Sequence, residues 1–486
     1  MSNMSPRRPR LSGPFPALLI ALLGIMVLLA LGFAVWGLVI YPATATDTPL
    51  PIVGTLTAIA EVATSPPTET APLPPTATAT SEAGDMASPT PEASPSATPG
   101  PTTAEPTATT PSPVDTATPT PTDTPLPPTP TPTLTPKPQF VNAFGYGIQA
   151  HALGNVNHQE IMATVKDLGF GWLKQQIEWK IVETAKGQYN WAEIDRLVEV
   201  AQQNGIYLLL SIVKAPDWAR GPSPDTSVDG PPSNPQDLAD FVRAMAARYK
   251  GRVQAYEIWN EQNLHYEWGN EQIDAARYVQ LLATAYQAIK AADSRALVIS
   301  GALTPAGSVP GDGRWLAIED ATYLRQMYDA GLKNYCDGVG AHPSGYNIPP
   351  NVNWQTYQDP NAQFRGLWDT PHYSWSFSGV METYRQIMVE YGDAGKLIWV
   401  TEFGWAVDAN PPGGREYAAD NTREEQRDWT VTAYQMGKSW GWVGPMFLWN
   451  LNFRQIVPWS EQGMWSIIAG DGSLQPVYRA LRDMPK

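Results

Sequence analysis

The sequence predicts an α/β fold, a (β/α)8 barrel, within residues 139–486. Three observations lead there. Short apolar runs alternate with helix-like stretches, strand then helix, eight times over. Two of those runs stop on a carboxylate, at Glu261 and Glu402. No glycine-rich phosphate loop follows the first run, which counts against an open doubly wound sheet, the nearest competing fold.

The elements follow in order. Residues 144–150 form the first expected strand, and the helix at 158–168 carries Ile161, Val165 and Leu168 at helical spacing. Strand two is expected at 171–177 with a helix at 191–204, and strand three at 206–213. A loop rich in Pro and Gly runs from there to Pro235, before a helix at 236–249. Strand four, 253–260, precedes a helix at 273–292, and strand five, 296–302, precedes one at 321–330. Strand six, 338–342, is followed by a long loop and a helix at 379–391. Strand seven is expected at 397–402, and Thr422-x-x-Glu425 opens the helix at 423–439 as a capping box. Strand eight, 445–451, and a helix at 477–482 complete the series. On strand seven a period of two puts Ile398, Val400 and Glu402 on one face, the expected barrel interior, with Trp399 and Thr401 toward the helices.

Three unlike segments precede the barrel. Residues 1–14 are basic, with Arg7, Arg8 and Arg10. Residues 15–41 carry no charge, and a run of this length exceeds the roughly 20 residues that cross a bilayer as a helix. No Lys or Arg follows until Lys137, so the expected topology is a single-pass anchor with a cytoplasmic N-terminus and an extracellular head. Ala43-Thr44-Ala45 offers the alternative of a cleaved leader and a secreted head. Residues 42–138 are dominated by Thr, Pro, Ser and Ala and are expected to be a disordered linker, since they lack the apolar residues for a core.

The net charge of −15 argues against nucleic acid as a partner. The single cysteine, Cys336, excludes an intrachain disulfide and reads as a small buried apolar residue. The five histidines show no ligand spacing, so neither a metal nor another cofactor is expected.

Carboxylates at two barrel strand ends are the equipment of glycoside hydrolysis. One group protonates the leaving oxygen and the other meets the developing oxocarbenium ion. The flanking residues carry a resemblance. Trp259-Asn260-Glu261-Gln262-Asn263 resembles the Asn-Glu motif that closes strand four in clan A glycoside hydrolases, and Thr401-Glu402-Phe403-Gly404-Trp405 resembles their strand-seven nucleophile motif. The style is closest to family 39 and to family 5-like, cellulase-type members.

By that resemblance Glu261 is the acid/base and Glu402 the nucleophile of a retaining β-glycosidase. Asn260 binds the sugar 2-hydroxyl, and Trp449 is the platform on strand eight. His342 and Tyr346, in His342-Pro343-Ser344-Gly345-Tyr346, match the clan's His-x-Tyr with the tyrosine two places late. Lys174 stands where the clan often carries arginine, and supplies a point charge rather than a fork. Loop tryptophans behind the two motifs, Trp268 and Trp405, are expected to stack on sugar, and Glu257 to be a buried structural carboxylate partnered by Lys174 or a histidine. The expected partner is a β-linked glycan. A non-catalytic glycan-binding barrel and a transglycosylase are the alternatives.

Overall fold

The structure, a computed structural model, describes residues 142–458 and 460–486. The expected basic tip, anchor and linker lie outside the described residues. Among the described residues no helix is long and apolar enough to cross a membrane.

Eight parallel strands close into a barrel: β1 (Gly145–Gln149), β2 (Trp172–Glu178), β3 (Tyr207–Val213), β4 (Ala255–Ile258), β5 (Leu297–Ser300), β6 (Gly338–Ala341), β7 (Leu397–Phe403) and β8 (Val443–Leu448). Closure is direct, with Gly145 opposite Pro445 and Ile148 opposite Leu448. The main helices are α1 (His158–Asp167), α2 (Ala192–Asn204), α3 (Pro235–Arg248), α4 (Ala275–Ala292), α5 (Asp320–Asp329), α6 (Phe377–Glu390), α7 (Arg423–Trp440) and α8 (Pro476–Asp483). A hairpin, Val309–Pro310 against Trp315–Ala317, follows β5 and has no counterpart in the sequence reading.

Local chemistry sets the helix limits. Asp274 caps α4 through its side chain, so that helix begins two residues later than expected. α7 carries the expected capping box at Thr422 and Glu425. α2 buries Ile194, Leu197, Val198 and Ala201, one stripe of a 3.6-residue period.

The strands separate two cores. Toward the helices, Leu208, Leu210 and Ile212 of β3 join Tyr256 and Ile258 of β4 in one continuous outer core. Inside the barrel, Trp172, Leu209, Ala255, Ile299, Trp399 and Phe447 form a separate floor. The rings of Trp172 and Trp399 meet edge to face at 5.3 Å. Glycine makes room for them: a Cβ on Gly338 would stand 2.6 Å from Trp399 Cδ1.

The expected facing of β7 is therefore reversed. Trp399 lies inside, and Ile398 and Val400 face the helices. The register with β8 shifts between Val400 and Phe403, both of which pack in the outer core. They lie three positions apart, where strict alternation puts same-face residues two or four positions apart. That irregularity turns Glu402 to the barrel mouth after all. Cys336 is buried, as expected, and burial pushes its thiol up to about 12.

Candidate active site

β4 ends at Ile258, three residues before Glu261, rather than on the carboxylate. The intervening chain bends sharply, with Trp259 at φ 75° and Glu261 at φ 45°. Glu261 N donates to Ala302 O at 2.9 Å, just past β5. Gln262 Nε2 donates to Gly301 O at 2.7 Å, and Asn263 Nδ2 to Thr304 O at 3.0 Å. Buried amides thus hold the turn that presents Glu261 to the cleft.

One imidazole lies between the two glutamates. His342 Nδ1 faces Glu261 Oε1 at 3.0 Å, and His342 Nε2 stands 4.0 Å from Glu402 Oε1. Beneath them Lys174 is fully buried. Its ammonium lies 3.0 Å from Glu402 Oε1 and 3.1 Å from Glu257 Oε2. Burial alone would lower the Lys174 pKa; the charges of Glu257 and Glu402 outweigh it and hold the group above its ordinary value. Lysine is thus the buried partner expected for Glu257.

The same balance sets His342 and Glu261. Burial would strip the proton from His342, but the negative charge of Glu402 and the hydrogen bond with Glu261 hold its pKa above the ordinary imidazole value. Burial would raise Glu261, and the hydrogen bond and charge of His342 bring it below the ordinary carboxyl value.

A cleft opens above these groups. Asn260, His342, Tyr346 and Trp449 line it with both glutamates, and Lys174 forms its support from below. Gln176 Nε2 donates to Asn260 Oδ1 at 3.3 Å and orients that amide. Gly404 lets the chain after Glu402 pass against the platform: a Cβ there would stand 2.8 Å from Trp449 O.

Two expected sugar-stacking residues are not in the cleft. Trp268 is fully buried and packs edge to face on Trp259 at 6.1 Å. The turn at 259–261 folds its segment back toward Tyr278 of α4 and leaves Tyr266 and Glu267 at the cleft instead. Trp405 is also buried; its Nε1 donates to Ile348 O at 2.9 Å and its ring packs on Trp429.

Sequence reasoning missed several lining residues. Trp465 comes from the loop after β8, and Arg415 from the loop after β7. Arg415 Nη2 meets Glu461 Oε1 at 2.7 Å and ties those two loops together. Lys214, directly after β3, also lines the cleft. Its position at a strand end was a signal, but its engagement by Glu178 at 2.9 Å and Asp229 at 3.4 Å is long-range.

A closed parallel barrel with one glutamate just after its fourth strand and another at the end of its seventh defines a clan A glycoside hydrolase. The chain belongs to glycosyl hydrolase family 5, the cellulase family, whose profile matches residues 137–450. It is similar over 99 residues, at 29% identity, to endo-1,4-beta-xylanase 3 of Hypocrea jecorina. That stretch is 20% of this chain and 27% of the xylanase, so the chain spans about a quarter of the length of the curated relatives it matches. Among solved structures, a family 39 glycoside hydrolase from Bacteroides cellulosilyticus WH2 aligns with a TM-score of 0.53 at 20% identity. The alignment covers 70% of this chain and 62% of that one, and shows the shared fold.

Proposed function

We propose that the barrel is a retaining β-glycosidase in which Glu402 is the nucleophile and Glu261 the acid/base. The observation that carries this reading is the unequal company of the two carboxyls in one cleft. Glu402 has a permanent cation, Lys174, at 3.0 Å. Glu261 has an imidazole that can exchange a proton, at 3.0 Å. Two carboxyls with different neighbours can divide nucleophilic and acid work.

In the first step a Glu402 oxygen attacks the anomeric carbon. The glycosidic C–O bond breaks, and its oxygen takes the proton of Glu261. Substrate that displaces water adds burial at Glu261, which favours the protonated carboxyl and draws the shared proton from His342 Nδ1. In the second step Glu261 removes a proton from water, and the resulting oxygen displaces Glu402 from the sugar. Asn260 holds the 2-hydroxyl and Trp449 lies under the ring. The family and the xylanase match make β-linked glucan and xylan the first substrates to test.

A fluoro-sugar should label Glu402 covalently. Glu402→Ala and Glu261→Ala should each lose at least about a hundredfold in kcat/KM on the natural glycan. Wild-type rates in both variants would sink the assignment. Tight glycan binding without any adduct would instead favour a non-catalytic binder.

The head, residues 139–486, is proposed to act outside the cell, tethered through residues 15–41 and a linker at 42–138. Membrane fractionation with protease shaving of intact cells tests this. Recovery of the head in the cytosolic fraction would overturn it.

A further inference from the structure

The cleft holds a third carboxyl that the double displacement does not use. Glu267 stands on the loop after β4 and lines the cleft with Glu261, Val213 and Lys214. It is half-buried. Among the described residues its carboxyl has no hydrogen-bond or ion-pair partner. Its backbone is pinned, because Trp259 Nε1 donates to Glu267 O at 3.0 Å and Trp268 beside it is fully buried. Lys214, whose charge acts on it, is already engaged by Glu178 and Asp229, at 2.9 and 3.4 Å.

A half-buried polar group without a partner in the folded chain is costly unless a ligand supplies one. The groups around the reacting sugar, Glu402, Asn260, His342 and Trp449, are assigned above. The cleft runs on past those groups to Val213 and Lys214 at the end of β3 and to Glu267 on the loop after β4. We propose that Glu267 binds a pair of neighbouring hydroxyls on a second sugar of the substrate chain, adjacent to the sugar that Glu402 attacks. This rests on the glycosidase reading and names a specificity residue within it.

The chemistry of the position suits a diol. Burial and the negative charges of Glu261, Asp229 and Glu402 push the Glu267 carboxyl up to about 8, against the opposing charge of Lys214. At neutral pH it therefore carries one O–H donor and a free acceptor oxygen, which matches one accepting and one donating hydroxyl.

The test is calorimetric titration of Glu261→Gln protein, which leaves the glycan intact, with cellotetraose and with xylotetraose. Adding Glu267→Ala should weaken the better tetraose about tenfold. Adding Glu267→Gln, which keeps a donor and an acceptor, should retain affinity. As pH rises through the Glu267 transition, affinity should fall with Glu267 in place and stay level with Glu267→Gln. In otherwise wild-type protein, Glu267→Ala should lower kcat/KM on the better tetraose by a larger factor than on aryl β-glucoside or β-xyloside, since these offer one sugar only.

Unchanged tetraose affinity in Glu267→Ala, with hydrolysis intact, overturns the Glu267 assignment alone. An equal loss on aryl glycosides also overturns it, placing Glu267 at the reacting sugar. Wild-type protein that neither cleaves nor binds any of these probes overturns the glycosidase reading, and this inference with it.

Discussion

Lys174 shows how much one residue decides. Its ammonium pairs with both the buried Glu257 and the partly exposed Glu402. Lys174→Met leaves both charges without it, and should cost about 3–5 kcal/mol of stability, read as a shift in the denaturant midpoint. Adding Glu257→Gln should recover part of that stability and none of the activity, because Glu402 still lacks its counter-charge. Full recovery of kcat in the double variant would show that Lys174 serves the fold alone. His342 makes a second prediction. Its pKa is raised, so its proton is fully present below the ordinary imidazole value and leaves only as pH rises through the raised one. The basic limb of kcat/KM should follow that loss. In His342→Gln the proton rests on Glu261 alone, a weaker hold, and activity should fall off at lower pH. A basic limb that stays in place would remove His342 from the proton inventory.

At the scale of elements, the barrel floor depends on glycines that admit two indoles. Gly338 of β6 and Gly444 of β8 flank Trp399, with would-be Cβ distances to Cδ1 of 2.6 and 2.9 Å. The indole is rigid and packed against Trp172, so it cannot withdraw from a new methyl group. Gly338→Ala should cost about 1–3 kcal/mol in an unfolding titration. Pairing it with Trp399→Leu should cost less than the two changes summed, because the smaller side chain vacates the contested space. Strict additivity would place the strain elsewhere. The irregular step between Val400 and Phe403 belongs to this scale too. It lets β7 keep aliphatic residues against the helices and still send a glutamate to the mouth.

For the whole molecule, closure sets where the chain can be cut. β1 joins β8 to β2, through Gly145 with Pro445 and Gly147 with Trp172. Even Asn142 contributes, since its Oδ1 accepts from Trp399 Nε1 at 3.1 Å. Protein lacking residues 1–138 should therefore unfold at the same temperature as the full chain and hydrolyse soluble glycans equally well. Deletion through residue 150 removes β1, opens the barrel and should abolish cooperative melting. A head that fails to fold without residues 1–138 would refute the proposed domain boundary.

Strand and helix count, their order, and the two glutamates with their strand numbers were legible in the sequence. So were Lys174, His342, Asn260 and Trp449 as neighbours of the site, through the motifs around them. These features follow from local periodicity and from short motifs, which neighbouring residues along the chain determine. Other features were not legible. The facing of Trp399 and Val400 depends on how β7 registers with β8, and the burial of Trp268 and Trp405 depends on which helices lie behind them. The isolation of Glu267 depends on Lys214 being occupied by Glu178 and Asp229. Lys174 and Glu402 are 228 residues apart, and only barrel closure brings them to 3.0 Å. The sequence by itself determined which groups the site contains. Only the tertiary structure decided which way they face and what charge stands beside each, because both depend on contacts between segments far apart in the chain.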